Sequence, residues 1–328
     1  RLIRRFSDAA RSSRAAIAEL DRLPAERLDE LGEVIAMILR QLSYCLLLGG
    51  SYDEALEAIN RSAALTKVAS TRNFALAYAV GAQAFVGDLP AARSALARID
   101  PGAWPRDAES SYLNAMTRIG EGFLQLDEWD FAAALDTITG SPSFTETTEF
   151  WPLFTLVATY AQLGLGQGLS AARWVEAKMN AAVPQPGVGE NTATRALLGA
   201  AAMGWLAGGR VGKAERVLEA LSPRAAELAP ARMLHLVLTG RASAAVERLS
   251  RLTALPRHTV RSKAATLVFG AAAARRTGDE RLAAMLAAQE HDIHRAYGVR
   301  AHLAFLPAVD REGLAEIAER SGDISTAA

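Results

Sequence analysis

The fold of this chain is decided by residues 42–64, which read LSYCLLLGGSYDEALEAINRSAA. An apolar run at helical spacing stops at two glycines, and a second amphipathic run begins directly after them. Gly50 has no Cβ and can take a positive φ where the first helix ends. Tyr52 can then pack in the crease between the two helices, where the small Ala55 lets the backbones approach. The stretch therefore predicts a helical hairpin.

This hairpin resembles the tetratricopeptide repeat (TPR), a helix-turn-helix unit of about 34 residues. Gly50, Tyr52 and Ala55 match the turn glycine, the aromatic residue and the small residue of that family, whereas Ser62 stands where a second alanine is usual. The resemblance implies an all-α fold, a right-handed superhelical solenoid in which TPR-like helix pairs stack side by side.

The hairpin pattern recurs along the chain, and an alanine at each predicted helix crossing measures its period. These crossing residues are Ala55, Ala92, Ala132, Ala172, Ala214, Ala245 and Ala283. Their intervals exceed the ideal of about 34 residues in all but one case, which predicts degenerate repeats with longer loops. In the hairpin around Ala132, Trp129 is predicted to take the place of Tyr52.

The repeats organise the whole chain as one predicted domain, residues 1–328. Residues 1–24 are predicted to form an N-terminal capping helix, residues 25–297 the repeats, and residues 298–328 a C-terminal cap and tail. Residues 182–191 contain two prolines and two glycines and are a candidate hinge between two subarrays.

Composition narrows the class of protein. Half of the 328 residues are hydrophobic, which is enough for an extensive core. Lys+Arg and Asp+Glu both number 36, so the basic excess typical of a nucleic-acid-binding surface is missing, and we expect no direct nucleic-acid contact by this segment.

Cys45 is the only cysteine, which favours a reducing compartment and a cytoplasmic location. The apolar stretches 196–209 and 264–274 are shorter than the ~20 residues of a membrane-spanning helix, so we expect no membrane partner.

Two motifs that suggest a binding or catalytic site do not meet its requirements. Residues 208–213 look like a phosphate-binding loop, but Ala207 replaces its first glycine and Ala214 replaces the hydroxyl that holds magnesium. His291 and His294 have a spacing that can bind a metal, but no further paired ligands lie nearby in sequence. No convergent acid-base or nucleophile set is visible, so we expect no enzyme activity, no cofactor and no metal.

The degenerate repeats, rich in Ala, Leu and Arg, resemble the helical sensor region of large LuxR-type bacterial transcription regulators. Residues 302–314, HLAFLPAVDREGL, look like the segment that precedes the DNA-binding helix-turn-helix (HTH) in that family. The resemblance implies a region that follows an NTPase module and senses a ligand or a partner protein. We expect the HTH to lie outside this chain, since none is recognisable after Asp310. The alternative is a TPR scaffold that binds a peptide or protein and no small molecule.

In a TPR superhelix, the first helix of each pair lines a concave groove. Projected onto this chain, that rule selects a mainly apolar set with a few polar groups, as is usual in binding pockets. The set is Met37, Arg40, Tyr44, Phe74, Asn114, Thr117, Glu121, Tyr160, Met203 and Arg275.

Two roles are predicted within this set. Arg40 can fix a carboxylate or phosphate by paired hydrogen bonds, and Tyr44, Phe74 and Tyr160 can stack on an extended peptide or a ring. Packing against neighbouring helices is the alternative for each of them. The expected occupant of the groove is a peptide, a protein or a small-molecule effector, and a second copy of the chain, forming a homodimer, is a further candidate partner.

Overall fold

The computed structural model describes residues 6–104, 114–141, 149–181 and 191–320, and in these ranges it contains helices and no strand. The predicted all-α class is thereby confirmed. The candidate hinge falls outside the described residues, except for Asn191, which caps the helix that follows.

The α-helices are numbered in chain order. They are α1 (Phe6–Leu20), α2 (Ala25–Glu30), α3 (Gly32–Gly49), α4 (Tyr52–Leu65), α5 (Ala69–Val86), α6 (Leu89–Ala97), α7 (Ala115–Asp127), α8 (Phe131–Thr139), α9 (Trp151–Gly164), α10 (Gly168–Ala181), α11 (Thr192–Ala207), α12 (Val211–Glu219), α13 (Ala229–Leu238), α14 (Ala242–Thr253), α15 (Val260–Arg276), α16 (Glu280–Tyr297) and α17 (Ala308–Arg320). Short 3₁₀ turns occur at Pro101–Ala103, Ala226–Leu228 and Ala301–Phe305.

The turn between the two helices of each pair contains one residue with positive φ. These residues are Gly50, Gly87, Trp129, Gly166, Gly209, Gly240 and Gly278. In the first hairpin, the amides of Gly50 and Ser51 donate to the carbonyls of Leu47 and Leu46, which satisfies the end of α3. The turn that the sequence predicted at Gly50 is therefore confirmed, and the same device recurs along the chain.

The predicted place of Trp129 is wrong. Trp129 has a φ of 64° and is 43% exposed, so it occupies the position that Gly50 has in the first hairpin. Phe131, buried at the start of α8, takes the position of Tyr52. A bulky residue at the turn is strained. The Trp129 indole bonds to the Arg300 carbonyl, with a nitrogen-oxygen distance of 3.4 Å, and this contact helps to hold it there.

The first helix of each pair is buried on nearly all sides, and the second keeps a polar outer face. In α5, every residue from Ala75 to Val86 is buried, whereas α12 buries only Ala214 and Leu218, four positions apart. The reason is that the first helices contact more neighbours: α5, for example, packs against α4, α6, α7 and α15. We call these helices (α3, α5, α7, α9, α11, α13 and α15) the inner helices.

Small residues allow the inner helices to approach closely. A Cβ added to Gly81 of α5 would lie 2.7 Å from the Met116 carbonyl oxygen of α7. The apolar stretch 264–274 belongs to such a helix, α15, and is buried throughout.

Among the described helices, α3 is long and apolar enough to cross a bilayer by length and composition. Its residues Ile35, Leu39 and Leu47 are buried, and the helix packs against α1, α4 and α5, as a core helix does.

Candidate ligand cavity and inner surface

A cavity lies between the inner helices, and the 3₁₀ segment Ala301–Phe305 forms one of its walls. Its empty space is about 580 Å³, a figure that includes open solvent at its mouth. The wall is mainly apolar and aromatic, with a few polar groups. The lining residues are Phe85, Phe123, Leu156, Tyr160, Ala196, Met203, Glu227, Pro230, Thr259, Arg261, Ser262, Ala265, Phe269, Ala301, His302 and Phe305.

The segment that closes the cavity is attached at both of its ends. At its start, the Asp127 carboxylate accepts hydrogen bonds from the amides of Arg300 and Ala301, with nitrogen-oxygen distances of 2.9 and 2.8 Å. At its end, the Phe305 ring stacks on Tyr160 of α9, with centroids 5.4 Å apart and planes 20° apart. A molecule in the cavity would thus touch both the inner helices and this segment.

Arg261, at the start of α15, is the cation of the cavity wall. Its guanidinium lies 4.8 Å from the centroid of the Phe123 ring and pairs with the buried Asp127 carboxylate at 2.6 Å. A further N–H donates to the Ala84 carbonyl at 3.0 Å. Its charge is therefore balanced within the protein, but its Nε is buried and has no hydrogen-bond partner.

His302 supplies a second buried polar group. Its Nε2 lies 3.1 Å from a Glu290 carboxylate oxygen, and both side chains are buried. Its Nδ1 is buried and has no hydrogen-bond partner. Together with Arg261, whose Nε is also unpartnered, the cavity wall thus includes two residues with unused hydrogen-bonding capacity.

Tyr160 remains a neutral phenol across the physiological range. Burial raises the pKa of Tyr160 to about 12. The nearby Arg261 opposes this rise, and the Asp127 carboxylate adds to it. A neutral hydroxyl can both donate and accept a hydrogen bond.

Of the predicted groove residues, Tyr160 and Met203 line this cavity. Arg40 and Phe74 come together elsewhere, partly exposed between α3 and α5, and Tyr44, one turn after Arg40, is buried. The Arg40 guanidinium carbon lies 5.5 Å from the centroid of the Phe74 ring. We call this group, with Tyr78, the Arg40 cluster.

Aromatic contacts continue on both sides of the Arg40 cluster. Arg40 is also 5.7 Å from the Tyr78 ring centroid, and Tyr78 packs edge-on against Tyr44 and Phe150. The Tyr44 hydroxyl donates to the Glu149 carbonyl at 2.9 Å, so it is already engaged. Met37, one turn before Arg40, is 48% exposed.

The remaining predicted residues lie apart from both groups or have structural partners. Asn114 precedes α7 without a capping side-chain bond, and Thr117 is buried with an unpartnered hydroxyl. Glu121 pairs with Arg118 on the same helix at 3.2 Å. Arg275 donates to the Val309 carbonyl and to Asp310, so it joins α15 to α17.

Sequence reasoning missed Arg261, His302 and Phe305 as parts of one site. His302 and Phe305 lie in the segment that resembles part of a LuxR-type regulator, but nothing in the spacing of residues along the sequence places them against α9. The available signal was Arg261, a charged residue within four positions of the long apolar run of α15, where a buried arginine needs a carboxylate partner.

No protein-family model matches the chain, and no curated protein matches it in sequence. The features of the molecule that bear on its function are therefore the cavity, the Arg40 cluster and the resemblance of its sequence pattern to LuxR-type sensor regions.

Proposed function

We propose that this chain is the ligand-sensing helical-repeat region of a LuxR-type transcription regulator, with the DNA-binding HTH outside it. The repeats form one right-handed superhelical solenoid of TPR-like pairs. A small, mainly apolar molecule with a hydrogen-bonding group occupies the cavity. The observation that supports this most is the cavity itself, since it combines aromatic walls with the two unpartnered polar atoms of Arg261 and His302.

The mechanism we propose is a shift between two arrangements of the C-terminal segment. A ligand that touches Tyr160 and Phe305 favours the arrangement in which the 3₁₀ segment is packed against the inner helices. The same segment leads into α17, which Asp310 fastens to Arg275 and Arg276 of α15. In the family that the sequence resembles, the HTH follows the corresponding segment, so ligand binding would change how a DNA-binding or dimer surface is presented.

The rest of the proposal follows the sequence expectations. The region acts in the cytoplasm without a cofactor or catalytic step, contacts neither nucleic acid nor membrane itself, and can pair with a second copy of the chain.

A cavity-filling variant tests the proposal. Ala265 of α15 lines the cavity, so Ala265→Leu should reduce its volume, whereas Ala296→Leu adds the same side chain at an exposed position of α16. A thermal-shift screen of small metabolites should find a compound that stabilises the wild type and Ala296→Leu but not Ala265→Leu. A compound that stabilises all three proteins equally would contradict binding in the cavity.

The alternative proposal is a TPR scaffold for a peptide or protein. The exposed Met37 beside the Arg40 cluster favours it, because apolar side chains next to a cation suit a peptide partner. Stabilisation by a peptide or protein alone, with no response to small metabolites, would select this alternative.

A further inference from the structure

The Arg40 cluster contains a cation with no counterion. The guanidinium lies against the rings of Phe74 and Tyr78, and it makes no hydrogen bond or ion pair with any residue that the structure describes. Its Nε is buried as well as unpartnered. The aromatic rings therefore hold the guanidinium in place while its hydrogen-bonding edge is unused.

Several arginines of other inner helices are neutralised by carboxylates. Arg195 forms a two-point bond to Glu227 at 3.1 and 2.9 Å, and Arg276 forms one to Asp310 at 2.9 and 2.6 Å. Arg261 pairs with Asp127. A buried N–H without a partner costs about 1–3 kcal/mol, so a position that keeps one needs a reason beyond stability.

The surroundings of Arg40 indicate the shape of what binds there. Val34, Met37 and Arg40 follow one another at three-residue spacing on α3, so they share a face, and the first two are exposed apolar side chains. Phe74 of α5 packs edge-on against Trp104, which follows the 3₁₀ turn Pro101–Ala103, with ring centroids 5.2 Å apart, so the aromatic surface continues beyond Phe74. An apolar body can therefore lie on this surface with a negative group at Arg40.

We propose that the Arg40 cluster is a binding site for a monocarboxylate with a flat apolar body. The planar guanidinium fork matches a carboxylate in two parallel hydrogen bonds. One uncompensated positive charge balances one negative charge, which favours a carboxylate over a phosphate dianion. This site shares no lining residue with the cavity, so it goes beyond the proposed sensing function.

Benzoate is the probe that tests this site, with neutral benzamide as its matched control. The variant is Arg40→Met, which keeps the apolar stem and removes the charge; Arg118→Met is the control variant, because Arg118 pairs with Glu121 on α7. Titration calorimetry should detect benzoate binding to the wild type and to Arg118→Met, and binding to Arg40→Met should be at least about tenfold weaker. Benzamide should bind at least about tenfold more weakly than benzoate.

The melting temperature without ligand separates this role from a structural one. Because Arg40 has no polar partner to lose, Arg40→Met should melt at the same temperature as the wild type or higher. A clear drop in melting temperature would mean that Arg40 is structural, and this outcome would overturn the proposal.

Peptides with a free or an amidated C-terminus identify the source of the carboxylate. If benzoate binds and neither peptide does, the natural ligand is a small acid. If the peptide with the free C-terminus binds and benzoate does not, the ligand is a chain end. Either result supports the carboxylate site. If neither carboxylate binds, or if both bind Arg40→Met as tightly as the wild type, the proposal is wrong.

Discussion

Two arginines on inner helices of this chain lie over aromatic rings, and only one of them is neutralised. Arg261 sits over Phe123 and pairs with Asp127, which also holds the segment that closes the cavity. Arg40 sits over Phe74 without a carboxylate partner among the described residues. Packing on an aromatic ring thus positions a structural cation, Arg261, in one place and a cation that can bind a ligand, Arg40, in the other.

The difference teaches how to interpret an arginine that packs on an aromatic ring. A neutralised guanidinium that also bonds a backbone carbonyl, as Arg261 bonds Ala84, connects helices. A guanidinium held only by rings, as Arg40 is, keeps its hydrogen bonds for a ligand. The partner of the charge therefore separates the two cases.

The largest expected effect comes from removing Asp127. Asp127→Ala leaves the buried Arg261 charge unpaired and two backbone amides of the closing segment without an acceptor. We expect a loss of about 3–5 kcal/mol in the free energy of unfolding, measured by urea denaturation.

Asp136→Ala is the matched control, because Asp136 is an exposed residue of α8. It should change the free energy of unfolding by less than about 0.5 kcal/mol. Equal, small effects of both variants would show that the Arg261 pair does not hold the closing segment, and the contrast with Arg40 would fail.

Close packing of the inner helices gives the next effect. Gly81→Ala places a methyl group 2.7 Å from the Met116 carbonyl oxygen, a backbone atom that cannot move without shifting α7. We expect a loss of about 1–3 kcal/mol in the free energy of unfolding.

Gly212→Ala provides the comparison, because Gly212 lies on α12, an outer helix, that is, the second helix of its pair. A Cβ at Gly212 meets nothing within 4 Å, so this variant should be neutral or gain up to about 1 kcal/mol through helix propensity. Destabilisation of the same size by both variants would contradict the distinction between inner and outer helices.

The smallest effect concerns Tyr160 and alkaline pH. Its folded-state pKa of about 12 exceeds the ordinary value of 10.0, so the unfolded chain releases this proton first as the pH rises. The stability linked to Tyr160 is complete below pH 10 and is lost between pH 10 and 12, by at most about 1.4 kcal/mol per pH unit. Urea denaturation at intervals across that range should show a shallower decline for Tyr160→Phe than for the wild type.

Tyr297→Phe controls for the loss of a phenol, since Tyr297 is exposed at the end of α16. Its decline should follow that of the wild type. If Tyr160→Phe also follows the wild type, the Tyr160 phenol is not buried against the cavity as described.

The first hairpin could be predicted because its turn is determined by residues close together in the sequence. Contacts between residues far apart in the sequence could not be predicted. Gly50 encodes a turn within a few residues, and the structure has this turn; Tyr52 is buried, with its ring edge-on to Phe85 of α5. The role of Trp129 was mistaken, because an aromatic near a turn resembles Tyr52 until the backbone shows it at the left-handed position. Asp127 and Ala301 are separated by 174 residues, so no helical period could bring them together.

The groove prediction was limited for the same reason. The rule taken from the TPR resemblance, that the first helix of each pair lines a groove, selected Tyr160 on α9 and Met203 on α11. It does not say which inner faces meet across the molecule, so the cavity wall contributed by α15 and the 3₁₀ segment was missed.

The most direct test of the account is a crystal structure of the purified protein under xenon pressure, because xenon enters apolar cavities without knowledge of the natural ligand. We expect xenon between Phe123, Tyr160 and Phe269, and none at the charged Arg40 cluster. A structure in which these three side chains pack together without space, or in which Phe305 does not close on Tyr160, would contradict the account.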